Sequence, residues 1–255
     1  MLGERTSYYQ IKDIPPQDLL NVVLTEPYYN LRNIACSRFH KEAVMDNDNN
    51  REPFIVWPPI NKQPEPWLPV LLARVALHEL QNHLFSNGSL VVIGVPKSAT
   101  WYADCIQEYG IFPNAIYPQV LKKEQIDNLQ IDTTNARSLP VPSYVHNRDP
   151  LTRERNPQDM YFFSPEIYQD ATLLIVDDAI AQGTTLESIA QFAKEKLEVN
   201  QVLVASPMAK AIQGGLKCLT RSIIIDGFSV LINVIQTHGK NGPIFYKSTF
   251  TETKI

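Results

Sequence analysis

The stretch Thr172 to Leu186, reading TLLIVDDAIAQGTTL, limits what this chain can fold into more than any other. Leu173, Leu174, Ile175 and Val176 form an unbroken apolar run, the pattern of a strand buried on both faces of a parallel sheet. Asp177 and Asp178 close the run. A short turn, Ala181 to Gly183, leads through Thr184 and Thr185 into an amphipathic helix predicted to end near Leu197. Strand end, tight loop and helix N-terminus together make an anion site, because free backbone N–H groups and the positive end of the helix dipole face whatever binds there. Gly183 permits close backbone approach, and the threonine hydroxyls add donors. Two adjacent carboxylates are unfavourable unless they meet hydroxyls or a divalent cation. A sugar carrying both hydroxyls and a phosphate satisfies the whole arrangement. A generic strand–turn–helix with incidental acids leaves the Asp177–Asp178 pair without a reason in packing.

The same order recurs upstream. Leu90 to Val95 (LVVIGV) is a second apolar strand, followed by Pro96-Lys97-Ser98-Ala99 and a helix predicted over Thr100 to Tyr109. This is again a strand, loop and helix, now with a cation in Lys97. Gln201 to Ala205 reads as a third parallel strand, ending in Ser206-Pro207-Met208-Ala209-Lys210, and Ser222 to Ile225 as a fourth. Ser229 to Gln236 is a further apolar segment, and the alternation from Ile244 to Phe250 after the turn Lys240–Pro243 predicts an edge strand. Alternating strands and helices imply an α/β fold with a mainly parallel open sheet flanked by helices, whose ligands bind at strand C-termini. No Walker A sequence and no dinucleotide-binding glycine fingerprint is present, which removes two competing phosphate chemistries.

Leu68 to Phe85 is a predicted helix containing His78 and His83. Histidines five residues apart lie roughly 140° around a helix, so they do not share the face that a zinc-protease motif requires and read as solvated. The chain before it is less regular. Gln17 to Thr25 suits a short helix after Pro15-Pro16, Met45 to Glu52 is loop-like, and the prolines from Pro53 to Pro69 suggest an extended connector whose Trp57 and Trp67 pack on the domain. Residues 1–68 are therefore expected to be an N-terminal extension, and 69–255 the main domain. Between 114 and 165, a strand is expected near Ala115 to Tyr117, then a long irregular segment. Its Leu139 to Arg155 portion holds three prolines, His146, Arg148, Arg153 and Arg155. The net charge of −4 and the lack of a long basic run argue against nonspecific nucleic-acid binding. Scattered Cys36, Cys105 and Cys218, with no signal-peptide pattern and no membrane-length apolar run, set the expectation of a cytoplasmic protein with reduced thiols that does not engage a membrane.

The run LLIVDDAIAQGTTL resembles the phosphoribosyl-pyrophosphate motif of type I phosphoribosyltransferases: apolar strand, two acids, short loop, Gly-Thr-Thr. The resemblance implies a transfer from 5-phosphoribosyl 1-pyrophosphate to a nucleobase, giving a nucleoside monophosphate and pyrophosphate. It implies that Asp177 and Asp178 hold the ribose hydroxyls and stand near a Mg²⁺ ion, bound through water or those hydroxyls. Ala181, Gln182, Gly183, Thr184 and Thr185 would cradle the 5-phosphate. Lys97, Ser98 and Ala99, about eighty residues upstream, occupy the family's pyrophosphate loop, although Ser98 and Ala99 replace the glycines common there. Arg148 and Arg153 fall where the family has a flexible hood of basic residues that neutralises the leaving group and excludes water. Lys210 matches a lysine that hypoxanthine-guanine members direct at the purine ring, whereas Ala181 replaces their base-facing aspartate, as adenine- and uracil-type members do. A homodimer is common in the family. A non-catalytic phosphoribosyl-pyrophosphate-binding regulator of the same fold is the alternative, favoured by the missing loop glycines, by Gln182 and by the N-terminal extension. A phosphatase or nucleotidase using the Asp177–Asp178 pair is disfavoured, because the pair lacks the Asp-x-Asp nucleophile spacing after a strand.

Overall fold

A computed structural model describes residues 14–27, 30–31, 34, 45–46, 54–55, 66–84, 88–96, 99–142, 157–180, 183–210, 228–239, 242–247 and 251–252. Its centre is a sheet in which β3 (Leu90–Gly94), β7 (Thr172–Val176), β8 (Gln201–Lys210) and β9 (Phe228–Gly239) run parallel, in that spatial order. The three apolar runs expected to be strands are all there. Every residue of β3 and β7 is buried, as strands covered on both faces must be. The register is unbroken: Gly94 pairs with Val176, and Val176 with Ala205, so β3 and β7 end side by side, level with Ala205 of β8, which runs on to Lys210.

The far edge is antiparallel. β10 (Gly242–Lys247) and β11 (Thr251–Glu252) both pair with β9, so the edge strand expected from the alternating tail is present, two residues earlier than its pattern suggested. The expected strand at Ser222–Ile225 lies outside the described residues. On the other side, the strand expected near Ala115–Tyr117 reduces to a single parallel bridge from Ile116 to Val91. Ile116 N–H donates to Leu90 C=O at 2.8 Å, and Val92 N–H donates to Ile116 C=O at 2.9 Å.

The segment expected to be irregular holds a second sheet. β4 (Val120–Lys122), β6 (Pro157–Phe163) and β5 (Ala136–Pro142) form an antiparallel sheet with β6 in the middle, and α5 (Lys123–Leu129) packs on β4 and β6. Of the three prolines that argued for a loop, Pro140 and Pro142 are accommodated by position, and Pro150 lies outside the described residues. Pro140 and Pro142 sit on the outer strand β5, and Pro157 is the first residue of β6. Short strands with mixed polarity carry little periodicity of their own, so cross-strand pairing decides them. Two residues of the loop-like stretch and two of the connector likewise pair, as β1 (Met45–Asp46) and β2 (Phe54–Ile55).

Helices flank the parallel sheet. α2 (Trp67–Glu79) packs on β8, β9 and α4 (Thr100–Glu108), α4 packs on β3, and α6 (Thr184–Lys196) packs on β8 and β5. The helix expected from Leu68 to Phe85 breaks at Leu80 into α2 and a single turn, α3 (Gln81–Leu84). Trp67 is buried in this core, as expected. His78 is exposed, and the His83 side chain is not among those described. Among the described residues, no helix is long and apolar enough to cross a membrane.

The expected N-terminal helix forms as α1 (Pro16–Thr25), with proline at its first position, where no N–H is required. It is tied to α2 in two ways. Leu19 and Val23 are fully buried and belong to the same hydrophobic cluster as α2 and the parallel strands. Arg74 of α2 donates from Nη1 to the carbonyls of Val23 and of Glu26, the latter at 3.0 Å. A cation there satisfies carbonyls that the end of α1 leaves unpaired and opposes the negative end of its dipole. Leu19→Ala is expected to lower stability in urea denaturation by about 2–5 kcal/mol, the range for a buried leucine in a core that cannot collapse around the gap. A loss well below about 1 kcal/mol would mean that α1 is only laid on the surface.

Candidate functional site

The acidic pair sits where β7 hands over to its loop. Val176 C=O accepts from Val95 N–H at 3.0 Å, and Asp177 N–H donates to Ala205 C=O at 3.1 Å. The ladder thus extends one residue beyond each strand and fixes the Asp177 backbone between its neighbours. The Asp177 side chain is buried and that of Asp178 half-buried. Each carboxylate folds onto the next peptide: Asp178 N–H donates to Asp177 Oδ1 at 3.0 Å, and Ala179 N–H to Asp178 Oδ1 at 2.8 Å. Charge-assisted bonds of this kind orient both groups.

On the far side of the loop, Gly183 has φ of 83°, in the left-handed region, and caps α6. Glycine adopts that backbone without the penalty a Cβ brings. Among the described residues no side chain caps this helix, so its first-turn N–H groups at Thr184, Thr185 and Leu186 keep their capacity for an outside acceptor. Thr184 and Thr185 are half-buried in that turn, and Ser188 Oγ donates to Thr184 C=O at 2.9 Å. Asp177, Asp178, Gly183, Thr184 and Thr185 are therefore carried by one continuous strand–loop–helix unit. Ala181 and Gln182 lie outside the described residues.

The loop after β3 is the second wall. Ala99 N–H donates to Val95 C=O at 2.9 Å, and the fully buried Ala99 returns directly over Gly94. A Cβ on Gly94 would lie 1.9 Å from the Ala99 carbonyl oxygen. Gly94 is thus the residue that lets this loop close, a role the sequence reading missed. A glycine ending an otherwise apolar strand was the available signal. Ala99 leads into α4, which has neither a side-chain cap nor an acidic residue in its first turn. Lys97 and Ser98, between Pro96 and Ala99, lie outside the described residues.

Tyr102 of α4 was also missed. Its ring is fully buried. Burial pushes its phenol well above the usual tyrosine range, and the charges of Asp178, Asp177 and Cys105 raise it further. A tyrosine on the buried face of a helix carries no sequence signal that separates it from core packing. Ser206, fully buried on β8, follows Ala205, to which Asp177 is bonded. Lys210 ends β8 opposite Gln236. Its side chain, like Arg148 and Arg153, is outside the described set. Among the described residues no group of three or more His, Cys, Asp or Glu side chains is placed to hold a metal ion.

No protein-family model matches the sequence, and no curated protein matches it either. The fold does have solved counterparts. It is similar to the adenine phosphoribosyltransferase of Trypanosoma brucei, solved with AMP, pyrophosphate and ribose 5-phosphate, at TM-score 0.55 and 13% identity, over 78% of this chain and 78% of that one. The enzyme of Leishmania tarentolae gives TM-score 0.51 at 14% identity, over 78% of this chain and 86% of its own. The enzyme of Saccharomyces cerevisiae, complexed with adenine and an imino-altritol bisphosphate, gives 0.50 at 15% identity, over 78% and 98%. The chain therefore has the α/β fold of type I phosphoribosyltransferases.

Gly94→Ala tests the second wall. The added methyl meets backbone, which cannot swing aside, so a loss of about 1–3 kcal/mol or more is expected in thermal melting. Amide-exchange protection at Ala99 should fall at the same time.

Proposed function

We propose that this protein binds 5-phosphoribosyl 1-pyrophosphate across the ends of β3 and β7 and transfers its phosphoribosyl group to a nucleobase. The observation that carries the reading is the Asp177–Asp178 pair held at a strand end beside the glycine-capped, otherwise uncapped helix α6. Carboxylates that accept, next to amides that donate, complement a ribose hydroxyl pair next to a phosphate. The likeness of fold to an enzyme solved with AMP, pyrophosphate and ribose 5-phosphate supports the same ligand class.

In this reading, Asp177 and Asp178 bind the ribose 2- and 3-hydroxyls and orient the sugar. Ala181, Gln182, Gly183, Thr184 and Thr185 form the 5-phosphate cradle, with the α6 amides and threonine hydroxyls as donors. Lys97, Ser98, Ala99 and the α4 N-terminus face the pyrophosphate. Arg148 and Arg153, in the segment joining β5 to β6, close over it, and Lys210 stands at the base. The nucleobase nitrogen forms its bond to the anomeric carbon as the bond to pyrophosphate breaks, and the diphosphate leaves with both bonding electrons. Positive charge develops on the sugar ring, so excluding water from the site protects it from hydrolysis. Mg²⁺ fits the donor set: it binds through one or two carboxylates and takes its remaining oxygens from water and substrate phosphate, which Asp177 and Asp178 permit. When bound, it neutralises charge on the leaving pyrophosphate. Residues 1–68 are read as an extension of the 69–255 transferase domain, docked through α1, in a cytoplasmic protein that forms a homodimer.

Two experiments test this. Asp177→Asn with Asp178→Asn keeps each Oδ1 acceptor, and so the local turn, while removing both charges. Binding of 5-phosphoribosyl 1-pyrophosphate is expected to vanish in calorimetry, with the melting temperature within a few degrees of the parent. Retained binding by that folded variant would show that the sugar lies elsewhere. A regulator that binds without transferring is the second reading, favoured by Ala99 standing at the loop where the family carries glycine. Pyrophosphate release across a panel of bases, beginning with adenine, separates the two. Release with any base is expected, and tight binding without release across the panel would favour the regulator.

A further inference from the structure

Among the described residues, four buried hydroxyls have no hydrogen-bond partner: Thr100 Oγ1, Tyr102 Oη, Tyr168 Oη and Thr172 Oγ1. Leaving a buried hydroxyl without a hydrogen bond forfeits its hydration with nothing in return, so each needs a reason. Thr172 begins β7, roughly 13–16 Å from the strand's acidic end by the rise of an extended chain. Tyr168 lies beside Phe162, its rings edge to face at 6.1 Å. Thr100 and Tyr102 differ in position. Both belong to the first turn of α4, which opens at the C-terminal end of β3, next to the end of β7. Tyr102 is also within electrostatic reach of Asp178 and Asp177, yet donates to neither.

A buried, neutral donor near two carboxylates, with no acceptor of its own, is arranged for an acceptor that arrives. The ribose hydroxyls are matched by the carboxylates, which only accept. Anionic phosphoryl oxygens are matched by the amides of the α4 first turn, and Thr100 and Tyr102 belong to that turn. We propose that Tyr102 is a further ligand-contacting residue, whose phenol O–H donates a hydrogen bond to an anionic oxygen of a diphosphate bound between the α4 N-terminus and the Asp177–Asp178 pair. This rests on the phosphoribosyl reading of the site and adds to it a donor from the helix wall. Tyr102 then stays unpaired in the free protein and is satisfied on binding, so part of the affinity comes from relieving a buried donor.

Tyr102→Phe keeps the ring and removes only the hydroxyl. Calorimetric titrations with inorganic pyrophosphate and, separately, with ribose 5-phosphate, both with Mg²⁺, compare it with the parent. Pyrophosphate affinity is expected to fall about ten- to hundredfold, as for a lost bond to a charged group, while ribose 5-phosphate affinity holds. The melting temperature without ligand should be unchanged or higher, because an unsatisfied group has gone. Equal affinity for pyrophosphate, equal weakening of both ligands, or a variant that melts earlier or fails to fold would each overturn the proposal. Parent protein that binds neither ligand would overturn the phosphoribosyl reading, and this inference with it; parent that binds both, with the variant indistinguishable, overturns the inference alone.

Discussion

The in-register parallel pairing of β3, β7 and β8 is the constraint on which the rest of the structure depends. Because Gly94, Val176 and Ala205 lie level, the hydrogen bonds from Val95 to Val176 and from Asp177 to Ala205 continue the ladder into the loops. Parallel strands send all their outgoing loops to one edge, so a level register sets those loops against one another. A slip of one residue would turn Asp177 to the other face of the sheet and bury its charge among aliphatic side chains. The full burial of β3 and β7 makes that slip expensive and holds the site in place.

Two glycines serve this edge in different ways. Gly183 supplies a left-handed backbone so that α6 can begin at once after the acidic loop. Gly94 supplies space, because the following loop returns so closely that its carbonyl occupies the volume of a side chain. The first is a conformational need and the second a packing need, and each brings a helix N-terminus to the strand ends without a side-chain cap. The site is therefore made mostly of backbone, with carboxylates and hydroxyls added at its rim.

Legibility in the sequence followed burial and continuity. β3, β7 and the start of β8 were readable because strands covered on both faces need unbroken apolar runs. The acidic pair and Gly183 were readable because their order along the chain is the order in the site. The antiparallel sheet of β4, β5 and β6 was not. Its strands owe their form to pairing with one another, and prolines that elsewhere break a strand are tolerated on its outer strand and at a strand start. Tyr102 was illegible for a related reason. Its ring packs like any core residue, and only its distance from Asp177 and Asp178 in space, not in sequence, distinguishes it.

By itself the sequence determined that a buried parallel strand ends in two carboxylates and a glycine-led helix, since apolar continuity and side-chain chemistry are local properties. It also determined the N-terminal helix α1, whose start is set by proline. Only the tertiary structure decided that α1 is fastened through Arg74 into the common core, that Gly94 makes room for a returning carbonyl, and that Tyr102 comes near the acidic pair. Those facts depend on which atoms approach across long separations in the chain, and that is set by the summed packing of the whole core.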